Sequence, residues 1–88
     1  MQDQFLTQTE ISTVNTVLKR FLESAEGFPG FTYEDKLETA WDNACEFASN
    51  PLILGSSLFE KFLNISEENL REACWETFTN TFLEITGK

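Results

Sequence analysis

Apolar residues recur three and four positions apart along most of this chain, and hydroxyl residues punctuate the recurrence. Ile11, Val14, Val17, Leu18, Phe21, Leu22 and Ala25 form one stripe, which predicts a helix over about 8–25. A second helix, about 33–49, buries Leu37, Ala40, Trp41, Ala44 and Ala48, with Cys45 on its flank. A short third helix, about 57–64, carries Leu58, Phe59, Phe62 and Leu63; a fourth, about 67–86, presents Leu70, Cys74, Phe78, Phe82 and Ile85. No stretch alternates with period two, so strands are not expected.

Four start signals fit these limits. Thr7…Glu10, Thr32…Asp35, Ser57…Glu60 and Ser66…Asn69 each place a hydroxyl three residues before a carboxylate or amide. The hydroxyl oxygen can accept from an orphan backbone N–H, and the later side chain can reach back. Phe5 or Leu6 is placed to staple onto Ile11. Gly27, the Asn50-Pro51 pair and Gly87 are the expected stops. The column Ala40, Ala44, Ala48 is narrow enough to admit a neighbouring helix at close range. Two linkers are apolar. Gly27-Phe28-Pro29-Gly30-Phe31 reads as a type II turn whose two phenylalanines plug the end of the bundle, and Pro51-Leu52-Ile53-Leu54-Gly55 joins the second and third helices. The expected fold is all-α, a compact bundle of about four helices with a short third helix, formed by residues 1–88 as a single acidic domain.

Composition narrows the function. The chain has 88 residues, 15 acids, 6 bases and no histidine, for a net charge of −9. Residues 1–30 hold 4 acids and 2 bases, whereas residues 31–88 hold 11 acids and 4 bases, so the negative charge gathers in the later part. Such a field repels nucleic acid and anionic membrane and attracts basic surfaces. The start, Met1-Gln2-Asp3-Gln4, has neither a basic nor an apolar region of the kind a signal peptide needs, and no apolar run is long enough to cross a membrane. We therefore expect a cytosolic protein with Cys45 and Cys74 reduced and buried as small hydrophobes, and Asn64-Ile65-Ser66 without meaning as a glycosylation acceptor. Without histidine, neither the usual general base nor a Glu-x-x-His metal motif is present. We expect no enzymatic activity, no cofactor and no metal site.

The carboxylates carry the functional expectation. Glu34, Glu38, Asp42 and Glu46 recur every fourth residue on the second helix, and Glu68, Glu72 and Glu76 do so on the fourth. Like charges at that spacing repel, at about 0.2–0.5 kcal/mol per pair, so the rows cost about 1–2.5 kcal/mol in total. Either a negative surface is used or a solvated one is tolerated. Glu34, Asp35, Glu67 and Glu68 are eased by lying at helix N-termini. Rows of carboxylates about 6 Å apart can meet Lys and Arg side chains that otherwise hold phosphates. In size and charge the chain resembles acidic decoys of nucleic acid, among them some phage inhibitors and toxin-immunity proteins. The resulting expectation is an inhibitor or regulator that binds a basic protein surface through Glu34, Glu38, Asp42, Glu46, Glu68, Glu72 and Glu76. Trp75, at the edge of the fourth helix's apolar arc, is either an interface anchor or a lid on the core.

Two alternatives stand beside it. Leu54-Gly55-Ser56-Ser57-Leu58 resembles the attachment motif of acyl and peptidyl carrier proteins, which are also small, acidic and four-helical. That resemblance covers 5 residues and implies phosphopantetheine carried on Ser57. Ser56 stands where the family has aspartate or histidine, and the motif would open the third helix here rather than the second. A helix cap at Ser57 accounts for the same serine. The other alternative is a structural subunit whose apolar linkers pack in a homodimer; monomer and homodimer both remain open.

Overall fold

The computed structural model describes residues 6–87 as five helices: α1 (Gln8–Ser24), α2 (Tyr33–Ala48), α3 (Pro51–Leu54), α4 (Ser56–Asn64) and α5 (Glu67–Thr86). The fold is all-α, and no strand occurs among the described residues. Phe5, proposed above as one of the staple residues, lies outside them, whereas Leu6 packs against the core.

The caps explain most helix limits. Thr7 and Glu10 form a complete capping box: the Glu10 N–H donates to Thr7 Oγ1 at 3.2 Å and the Thr7 N–H to Glu10 Oε1 at 2.9 Å. Thr32 accepts from the Asp35 N–H at 3.0 Å, and Ser66 from the Asn69 N–H at 3.1 Å. The α1 helix ends at Ser24, where Ala25 turns extended, two residues before Gly27.

The apolar linker after α2 differs from expectation, because it contains the one-turn helix α3. Asn50 accepts from the Leu52 N–H at 2.9 Å, and Pro51 occupies the first helical position, where a missing N–H costs nothing. Gly55, at φ 86°, ends α3 and also serves as the N-cap of α4. The α4 helix thus begins one residue before Ser57, which makes no capping hydrogen bond. The expected Ser57 cap is corrected to a Gly55 cap. The other glycine with a special role is Gly30. Its φ is 145°, beyond the +80° or so of a type II turn. A Cβ there would meet the Lys36 nitrogen at 2.8 Å, so the chain can pass the start of α2 this closely only without a side chain. Phe28 plugs the bundle end as expected, edge-on to Phe82 at 4.8 Å, but Phe31 is fully exposed.

The α1 helix packs along both α5 and α2. The column Ala40, Ala44, Ala48 is wholly buried, as close packing of α2 requires. Between α2 and α5 the gap is filled by large side chains instead. Trp41, 1% exposed, meets Trp75 and Phe78 edge-on, each at 5.1 Å. Tyr33 at the start of α2 contacts Phe82 near the end of α5 at 5.4 Å, so the two helices run antiparallel. Phe21 and Phe47 join α1 to α2 at 5.6 Å.

Trp41 and Trp75 therefore differ in depth, and their truncation should differ in cost. Trp41→Ala is expected to cost about 3–5 kcal/mol in denaturant unfolding. Trp75→Ala, which opens to solvent rather than to an internal void, should cost clearly less. Equal losses would place both rings in the same core.

Candidate functional site

Arg71 organises the solvent side of the α2–α5 seam. It lies on α5 between the buried Leu70 and Cys74, and its side chain is 27% exposed. The guanidinium lies 4.4 Å from the centre of the Trp75 ring and 5.3 Å from that of Trp41. Its Nη1 and Nη2 donate to the two carboxylate oxygens of Glu38 at 3.0 and 2.6 Å, and its Nε donates to Glu67 at 3.0 Å. One cation thus stacks on two indoles and bridges two carboxylates, one from each helix. This is the bidentate fork that arginine makes and lysine cannot.

The electrostatics follow from the contacts. The hydrogen bonds from Arg71 hold the Glu38 carboxyl below its ordinary value, against a smaller opposing effect of burial. Glu38 and Glu67 in turn raise the Arg71 pKa. Glu10 is lowered likewise, by the Thr7 backbone N–H first and then by Lys61, whose ammonium lies 2.9 Å away. The thiols move the other way. Burial, helped by Glu67 and Asp42, pushes Cys45 up to about 12, and burial pushes Cys74 up to about 11. Both are protonated near neutrality, which suits packing rather than nucleophilic chemistry; Cys74 is buried as expected, whereas Cys45 is only partly so. The lowered Glu38 carboxyl offers fixed negative charge at this seam, and the raised thiols offer packing.

All seven carboxylates expected to meet a partner are exposed. Glu38 is occupied by Arg71; Glu34, Asp42, Glu46, Glu68, Glu72 and Glu76 form no ion pair among the described residues. Glu38 of the first row reaches Arg71 across the α2–α5 seam, whereas Glu72 of the second row is turned toward the start of α1. Glu72 also lines a shallow groove of about 250 Å³ with Leu6, Ile11 and Ile65. Trp75 is half-buried, one face under Arg71 and its ring beside Phe78 at 6.0 Å. Ser57 is exposed in the first turn of α4, on a groove shared with Glu60, Lys61 and Asn64. No group of three or more histidine, cysteine or acidic side chains converges closely enough to hold a metal ion among the described residues.

Sequence reasoning missed Arg71. Half of its role was readable, because Glu67 and Arg71 stand four apart with the acid first, the favourable order on a helix. The other half spans 33 residues of sequence to Glu38 and has no local signal.

The Glu38 contact has a defined pH signature. Its folded pKa lies below the ordinary 4.5, so the stability it contributes is complete above that value and is lost as pH falls through the folded pKa. Glu38 is half exposed, so screening keeps the effect to about 1 kcal/mol or less. Denaturant midpoints of Glu38→Gln and the parent should differ at pH 7 and converge in acid. Glu72→Gln, which removes no ion pair, should show no such loss. A gap between Glu38→Gln and the parent that persists unchanged in acid would contradict the assignment.

No family model, no curated protein and no solved structure matches this chain, so its functional reading rests on the seam itself.

Proposed function

We propose that this chain is a protein-binding module, an inhibitor or regulator that engages a basic surface, such as the nucleic-acid site of another protein, through carboxylates on α2 and α5. The observation that carries the reading is the state of the two rows. Arg71 pins α2 to α5 with Glu38 and Glu67, and the six other row carboxylates stand in solvent on either side, uncompensated by any ion pair among the described residues. A net charge of −9 supports it, since a field of that size steers a basic partner and speeds encounter. In this reading the protein acts in the cytosol, without a cofactor and without touching nucleic acid directly.

The Arg71 contact governs how the reading is tested. Reversing Glu38 would set a lysine beside Arg71 and disturb the fold, and Glu34 and Glu68 favour the starts of their helices. Asp42, Glu46, Glu72 and Glu76 are free of both constraints. The partner is first captured from the native cell at graded salt. Binding kinetics are then compared between the parent and the variant with those four residues changed to lysine, with helicity checked alongside. Association of the parent should slow steeply as salt rises, because exposed charges are screened beyond about 8 Å at 0.15 M. The variant should fold, and should associate at least about tenfold more slowly at low salt. A folded variant that binds like the parent, with no salt dependence, would reduce the rows to a solvated face.

A further inference from the structure

The start of α1 and the corner between α4 and α5 leave apolar surface that the core does not cover. Leu6 and Ile11 hold the two positions of a hydrophobic staple on either side of the Thr7 cap. Ile65, which ends α4, and Ala73 of α5 stand opposite them. All four are half-buried: each packs against the core, and each also lines an open groove of about 250 Å³. An apolar cavity of about 150 Å³ takes a benzene, so this groove has room for one large apolar side chain and not for a helix.

Charge selects the occupant. The two polar residues of the groove, Asn69 and Glu72, both come from α5, and no base lines it. Glu72 is exposed and forms no ion pair among the described residues. Glu68 and Glu76 are in the same state one turn before and after it, each about 6 Å away along the helix. Lys61 and Arg71 do not offset them, because Lys61 is held by Glu10, and Arg71 by Glu38 and Glu67. An apolar slot edged by unpaired carboxylates complements an apolar side chain flanked by lysine or arginine. The net charge of −9 acts in the same direction: it attracts a basic segment and opposes both an acidic one and a second copy of this chain.

We infer that the groove between the start of α1 and α5 is a docking site for a basic segment of the partner protein. That segment seats one large apolar side chain among Leu6, Ile11, Ile65 and Ala73, and sets lysine or arginine against Glu72 and its neighbours Glu68 and Glu76. The docking site rests on the reading that the α5 carboxylates meet a basic partner, and adds the anchor that fixes where the partner sits.

Three fluorescein-labelled peptides test it by anisotropy against the full chain at low salt. The first carries one phenylalanine with lysines on both sides. The second has serine in place of the phenylalanine, and the third has glutamates in place of the lysines. The first should bind at least about tenfold more tightly than either of the others. Ala73→Leu, which fills the groove with the chain's own side chain, should reduce the first peptide to the affinity of the second and leave the second unchanged. Leu6→Ser, at a position outside every helix, should do the same by removing a wall. Circular dichroism checks that each variant keeps the fold, and the comparison of peptides on the parent needs no variant. Equal binding of the first two peptides, with both weakened by Glu72→Lys, would overturn the docking site and leave the acidic-row reading standing. No binding of either lysine peptide at about millimolar concentration, where even weak sites register, would overturn both. The docking site also falls if the third peptide binds as well as the first, or if folded Ala73→Leu and Leu6→Ser keep the full advantage of phenylalanine. Two further results would give the groove another occupant and overturn it likewise. One is binding of the first peptide only after Phe5→Ser, which would assign the groove to the chain's own start. The other is a sedimenting dimer of the parent that Ala73→Leu abolishes.

Discussion

The guanidinium of Arg71 lying across Trp75 and Trp41 is the contact on which the exposed architecture depends. The α2 and α5 helices are kept apart by the bulk of Trp41, Trp75 and Phe78, so side chains rather than close backbone approach must join them. An aromatic cluster of that size at a seam would leave indole surface in water. Arg71 covers it with a planar cation that stacks on the rings while its edge binds Glu38 and Glu67. Lysine could supply the charge but neither the plane nor the fork. The same contact settles the charge pattern. It places a positive charge among carboxylates that otherwise repel along each helix, and it removes Glu38 from the set available to a partner.

Local chemistry made much of the fold legible. Thr7, Thr32 and Ser66 start helices because a hydroxyl three residues ahead of a free N–H caps it, a rule that needs no tertiary information. The limits 67–86 of the last helix could be read from Ser66 at one end and Gly87 at the other. The α3 helix escaped because four apolar residues show no period, and because Asn50-Pro51 both ends one helix and begins the next. Ser57 has the right spacing to Glu60 for a cap, but the positive φ of Gly55 starts the helix one residue earlier, and spacing alone does not reveal a backbone angle. At the site, the exposure of the seven carboxylates followed from helical periodicity. The loss of Glu38 to Arg71 did not, because it depends on how α2 and α5 cross.

The most direct test of the central claim is a double-mutant cycle on unfolding free energy between Arg71→Met and Trp75→Leu. The account predicts a coupling of about 1 kcal/mol, the scale of a partly desolvated cation stacked on an indole. A coupling within about 0.3 kcal/mol of zero, the range in which independent sites add, would mean that Arg71 does not hold the seam.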